Sequence, residues 1–219
     1  MFEKQPQHIV LLTLLLATVA WASQGEGVRT GSYLGVSTTT WFWWSIAFPI
    51  IHQVWVVICW RLELHSQILS CSLGPWGFRL YAAGFALLSA GRIYTVIAVS
   101  IANQGTVHLN QGLLNFLALL IAVPTIYLFY SVARYFGFQR ALGADHFDAS
   151  FREKPFVRKG IFRFTRNGMY TFGFGVIWLP GLVWASQAGL LSAAFSHLYI
   201  WVHYFCTEQP DMRRIYGQA

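Results

Sequence analysis

The sequence predicts an all-α, polytopic transmembrane helical bundle of about six spans, with the last two forming a helical hairpin. Three observations carry that expectation. First, of 219 residues 56% are hydrophobic and only 11% charged, against roughly 25% charged in a typical soluble domain. Too few charges remain to cover a soluble globule of this size, and mean hydropathy is +0.48. Second, six apolar stretches approach the ~20 residues that a bilayer-crossing helix needs. Third, the basic residues segregate to alternate connections. The same composition excludes a disordered chain and a coiled coil, and 3 Cys are too few for a secreted disulfide scaffold.

The first stretch, His8 to Ser23, is short. Lys4, the apolar run Ile9–Ala20 and Ala20-Trp21-Ala22 also fit a cleavable signal peptide. Glu3 cancels Lys4, however, and a retained helix is the favoured reading. The second stretch, Thr38 to Trp60, opens on an interfacial belt of Trp41, Trp43 and Trp44 and contains His52. The third, Trp76 to Ala102, contains Arg92, an intramembrane charge that should face the bundle interior or snorkel. Tyr94 and Glu63 are the neighbours offered to it. The fourth runs from Gly112 to Phe136. The fifth, Met169 to Ser186, contains Pro180, and the sixth, Gly189 to Cys206, follows a very tight turn. The chain thus divides into four N-terminal helices (1–136), a basic and aromatic loop (137–168), and a C-terminal hairpin with its tail (169–219).

Six spans with a cytoplasmic N-terminus place thirteen of the 15 basic residues on the cytoplasmic side. Eight of them, from Arg134 to Arg166, fall in or beside the 137–168 loop. The opposite side holds only Arg29. This positive-inside bias predicts that both termini face the cytoplasm, in a bacterial inner membrane or the endoplasmic reticulum. The net charge of +7 is accordingly assigned to anionic lipid headgroups and not to nucleic acid, for which no motif is present. Cys59, Cys71 and Cys206 fall near the cytoplasmic face, where disulfides are not expected, and they lack metal spacing. His197 and His203 lie six apart, poorly placed on one helix face to share a metal. No metal is expected, and His197 reads as a packed membrane histidine.

Chemistry concentrates in two places. In Phe156–Tyr170, arginines and aromatic rings alternate directly before a membrane segment. Alone, that pattern fits an interfacial anchor. The chain then closes on Glu208-Gln209-Pro210 and Ile215-Tyr216 at the mouth of the sixth helix. A hairpin returns Asn167 and Glu208 to one membrane level, so the two clusters should face each other. Carboxylates and amides there suit the ribose and ammonium of an adenine-bearing cofactor, and rings suit a sulfonium through cation–π attraction.

Gly160-Ile161-Phe162-Arg163-Phe164 and Arg166-Asn167-Gly168-Met169-Tyr170 resemble the Gly-Ile-Tyr-Arg-Tyr-x-Arg-His-Pro-Met-Tyr signature of small integral-membrane methyltransferases. That superfamily includes isoprenylcysteine carboxyl methyltransferase and the phospholipid N-methyltransferases. Asn167, Met169 and Tyr170 are most similar to the phosphatidylethanolamine N-methyltransferase form, whose Glu-Glu-Pro and Ile-Tyr resemble Glu208-Gln209-Pro210 and Ile215-Tyr216. The likeness covers about residues 155–217. Gly168 stands where the family has Pro, Gly173 falls one position late, and Gln209 replaces the second Glu, keeping an acceptor oxygen and adding donors.

The resemblance implies S-adenosylmethionine as cofactor, held by Arg163, Arg166, Asn167, Tyr170, Gly173, Gly175, Glu208 and Gln209. For Gly173-Phe174-Gly175, close helix packing is the competing reading. A lipid acceptor, foremost the amine of phosphatidylethanolamine or its partly methylated forms, would lose its proton to Glu208, His203, His146 or Asp145. The alternatives are an isoprenylcysteine or small thiol acceptor, an NADPH-dependent sterol-type reductase suggested by Arg213-Arg214-Ile215-Tyr216-Gly217, and a membrane transporter or scaffold. The 163–170 and 208–210 segments are expected to form opposite walls of one pocket open to water and to lipid.

Overall fold

A computed structural model describes residues 1–217 of the chain. Its regular structure among the described residues is helical apart from a two-stranded hairpin, in which Ser32–Tyr33 pairs with Val36–Ser37. The hairpin turns through Leu34 and Gly35, both at positive φ, as its two-residue loop requires. Four helices are long and apolar enough to cross a membrane: Gln5–Ala22, Thr38–Ser66, Trp76–Ala102 and Gln111–Phe136. The fifth apolar stretch is not one helix. It breaks into an α turn at Gly168–Thr171, a 3-10 segment at Gly173–Ile177 and a short helix at Trp178–Val183. Gly173 and Gly175 weaken helix propagation, while Pro180 sits in the first turn of the short helix, where its missing N–H is not needed. The sixth helix, Gln187–His203, runs on through a π-helical turn, Tyr204–Glu208, into a terminal helix, Gln209–Tyr216.

Local sequence sets the boundaries. Ser37 caps the second helix by accepting from the N–H of Thr40, and Asn110 caps the fourth by accepting from that of Leu113. Glu63 is not a neighbour of Arg92, as offered above. Its Oε2 accepts from the N–H groups of Leu69 and Ser70 at 3.0 and 3.1 Å and so caps the short helix Ile68–Leu73. Tyr94 is half exposed and packs edge-on against Trp41. Arg92 does turn into the bundle. Its Nε and Nη2 donate to the hydroxyl and carbonyl of Ser196 at 2.7 and 2.9 Å, and its guanidinium lies 4.6 Å from the Phe174 ring centroid. His197 accepts from the indole N–H of Trp178, the packed histidine that the sequence suggested.

The fifth and sixth segments form a hairpin through a turn at Trp184–Ser186. Gly181 and Gly189 lie face to face, where a Cβ on either would meet the other's backbone within about 3.0 Å, the small-residue contact that lets membrane helices approach. Asn103, at the end of the third helix, ties that turn down. Its Oδ1 accepts from Ser186 Oγ and the N–H of Ala188, and its Nδ2 donates to the carbonyls of Gly27 and Thr30.

At the opposite end the N-terminal segment meets residues 205–213. The first helix packs along the sixth, with His8 hydrogen-bonded to Tyr199 at 3.1 Å. Gln5 Nε2 donates to the carbonyl of Cys206 and the hydroxyl of Thr207. The N-terminal segment is therefore an integral wall of this end of the bundle. Cys59, Cys71 and Cys206 are free thiols.

Candidate functional site

The first motif docks on the end of the fourth helix, which finishes in a π-helical turn, Val132–Phe136. Gly160 adopts φ +60°, and a side chain there would collide with Ser131. This close approach lets the Ile161 N–H donate to Ser131 Oγ at 3.1 Å. Ile161 and Phe162 then bury against Leu128 and Val132, and the Phe162 ring stacks on Phe136. Apolar residues of the motif thus anchor it, and the polar ones are left outward. Arg163 and Arg166 are exposed, with Arg163 lying over the neighbouring Phe164 ring. Asn167 is half-buried at the start of the Gly168–Thr171 turn, where its carbonyl accepts from the N–H groups of Tyr170 and Thr171.

The first motif meets the helix leading to the second through aromatic rings. Tyr170 lies 5.4 Å from Tyr204 and 5.9 Å from Trp201, centroid to centroid. Tyr204 opens the π turn that ends at Glu208. An i→i+5 turn inserts one residue into the helix, and such turns recur at functional sites. Gly173 and Gly175 pack on the fourth helix. A Cβ at Gly173 would reach Leu128 at 2.7 Å, and one at Gly175 would run into Thr125 Oγ1 and Ile121. Both glycines thus lie against the fourth helix, most tightly at Gly175.

Glu208 is half-buried, and its Oε2 is shielded from water without a hydrogen-bond partner. Its electrostatic neighbours are His146, Asp145 and Asp211 and not the arginines of the first motif. Glu208 lies beyond the apolar run of the sixth helix. Burial, reinforced by the Asp145 and Asp211 carboxylates and opposed by His146, pushes it up to about 8. Gln209 and Pro210 form the first turn of the terminal helix, where proline is tolerated.

The groups around Glu208 form a buried network joining three parts of the chain. Arg61 Nε, at the end of the second helix, lies 3.0 Å from Asp211 Oδ1 in the terminal helix. His146, in the loop, stands between two carboxylates, with Nδ1 3.2 Å from Asp145 and Nε2 3.6 Å from Asp211. Tyr216 donates to the other oxygen of Asp145 at 2.9 Å. Trp60 stacks on the His146 ring at 4.1 Å. Gly143, at φ +81°, lets the loop backbone lie against that indole, where a side chain would collide.

Two cations and two acids balance one another in this cluster when His146 is protonated. Burial lowers the affinity of His146 for its proton, but the hydrogen bonds and charges of Asp145 and Asp211 prevail and hold it above 6.5. Asp145 responds in the complementary way. Burial favours its neutral form, yet His146, Tyr216 and Arg140 hold it below 3.8. His203 is buried in the sixth helix near Trp60 and His8, and its Nδ1 has no hydrogen-bond partner.

The structure therefore gathers Glu208, His203, His146 and Asp145 at one end of the bundle and brings Tyr170 to the same junction. Arg163 and Arg166 are exposed and are not among the charged groups that act on Glu208. Sequence reasoning missed Arg61, Asp211 and Trp60. A signal was available in Arg61, which interrupts an apolar helix, and in Asp211, three residues after Glu208.

Residues 113–219 match the model of the phospholipid methyltransferase family. That stretch takes in all but the first two residues of the fourth helix, the loop and both motifs. No curated protein and no solved structure matches the chain.

Proposed function

We propose that this chain, related to the phospholipid methyltransferases over residues 113–219, transfers a methyl group from S-adenosylmethionine to a lipophilic acceptor in the membrane, foremost the amine of phosphatidylethanolamine or its partly methylated forms. The observation that supports the reading is the packing of Tyr170, in the first motif, on Tyr204, one helical turn before Glu208.

The residues present fit the cofactor. Glu208 Oε2 is a shielded acceptor without a partner, suited to a ribose hydroxyl or an ammonium group. Tyr170, Tyr204 and Trp201 offer ring faces for a sulfonium. When bound, S-adenosylmethionine supplies an electrophilic methyl group. The chain's own contribution is then placement and proton removal. Asp145 and His146 are engaged with each other, Tyr216 and Asp211, so they position the loop. With Glu208 Oε2 given to the cofactor, His203, whose Nδ1 keeps no partner, is the group left to accept the amine proton.

The test is a thermal-shift comparison of S-adenosylmethionine with NADPH on purified protein, followed by lipid analysis of expressing cells. Stabilisation by S-adenosylmethionine alone, lost in Glu208→Ala while the protein still purifies intact, supports the proposal. Stabilisation by NADPH, or unchanged S-adenosylmethionine affinity in Glu208→Ala, refutes it.

A further inference from the structure

An open groove of about 580 Å³ lies beneath the end of the fourth helix, lined by Tyr135 to Arg140 on one side and by Phe151, Lys154, Pro155 and Val157 on the other. Its volume falls within the ~300–1,000 Å³ typical of ligand clefts. It is separate from Glu208. Two cations line it and no acid does. Arg140 is fixed by donating to the carbonyls of Pro155 and Lys154, and its guanidinium lies near the Phe136 and Phe156 rings. Lys154 Nζ sits 3.6 Å over the Phe151 ring. Carbonyls and rings orient these charges, and neither cation forms a contact ion pair among the described residues, although Arg140 acts on Asp145 and Lys154 on the exposed Asp148 from outside the groove lining.

We infer that this groove binds the headgroup phosphate of an anionic phospholipid that is not the methyl acceptor. Its position at the end of a membrane span puts it at headgroup depth. The absence of an acid from the lining selects a net-negative headgroup, because the ammonium of a zwitterionic lipid would meet Arg140 and Lys154 with no counter-charge. The Phe156 ring is also 5.2 Å from that of Tyr216, which donates to Asp145. Lipid bound here would therefore steady the loop that carries Asp145 and His146. The binding claim does not depend on methyl transfer.

The full-length protein in phosphatidylcholine nanodiscs is labelled with a headgroup-photoactivatable phosphatidylglycerol, and crosslinks are mapped by peptide. Labelling should concentrate on residues 135–157. A basic residue at an anionic lipid surface contributes about a fivefold preference. Lys154→Gln should therefore reduce this labelling about fivefold, Lys154→Arg should retain it, and Arg79→Gln, near Trp76 on another helix, should leave it unchanged. Labelling spread evenly over the basic face, an equal loss in Arg79→Gln, no loss in Lys154→Gln, or displacement by millimolar inorganic phosphate would each overturn the inference.

Discussion

Replacing Arg61 by Met tests whether the buried network holds this end of the bundle together. The Arg61 and Asp211 side chains are 3% and 1% exposed and 3.0 Å apart. Arg61 also donates to the carbonyls of Met1 and Thr207 at 3.1 and 3.4 Å. Removing it leaves the Asp211 carboxylate buried, with only the His146 contact at 3.6 Å. Breaking a buried pair from one side costs about 3–5 kcal/mol, because the surviving charge is uncompensated, whereas replacing both members by apolar groups is often neutral or better. Arg61→Met should lower stability by about that amount, and Arg61→Met with Asp211→Leu should recover most of it. Stability is read by titrating the folded protein with sodium dodecyl sulfate in mixed micelles. A single variant within about 1 kcal/mol of the parent, or a double variant no more stable than the single, would refute the reasoning.

Cofactor affinity should rise with pH as Glu208 loses its proton near 8, and calorimetry on Glu208→Gln should show weak binding without that rise. The contribution of His146 to stability follows the opposite direction. Its proton is held above the ordinary 6.5, so its stabilisation is complete below about that pH and disappears as pH climbs through the raised value. A denaturation series across this range should show that loss in the parent and not in His146→Gln. Asp145 is held below 3.8, so its stabilisation is present above that value and is lost as pH falls through the lowered one. Gly175→Ala drives a methyl into Thr125 and Ile121 and should cost about 1–3 kcal/mol, read in the same detergent titration. A variant as stable as the parent would contradict the packing assigned to that glycine.

The helices were legible because membrane spans are written in composition and length, and their ends in caps such as Ser37 and Asn110. The two site segments were legible as motifs. The partners of Glu208 were not. A helix that ends in a regular α turn and one that ends in a π turn have no distinguishing pattern in Tyr204–Glu208, yet the turn decides which face that carboxylate occupies. Hence Arg163 and Arg166, complementary to Glu208 by charge, are exposed, while Asp211 and His146 stand near it. Segmentation of the fifth stretch was marked by Gly173, Gly175 and Pro180, but hydropathy averages over such breaks. Glu63 was misread because a charge near a helix end can cap the next element as readily as it can pair with a distant arginine.

Arg92 bears on how the protein is made. Its side chain sits inside the third helix, and the groups that satisfy it, Phe174 and Ser196, lie far downstream. A ribosome delivers that helix to the membrane well before it delivers either partner. An arginine at the centre of an isolated helix opposes insertion by about 2.5–3.5 kcal/mol on translocon scales. During synthesis, then, the third helix is left without these partners until the fifth and sixth segments arrive. A chain halted after the fourth helix should leave the third one loosely inserted and open to degradation. The same residue that fastens the finished bundle thereby makes completion of the C-terminal third a condition for the N-terminal part to persist.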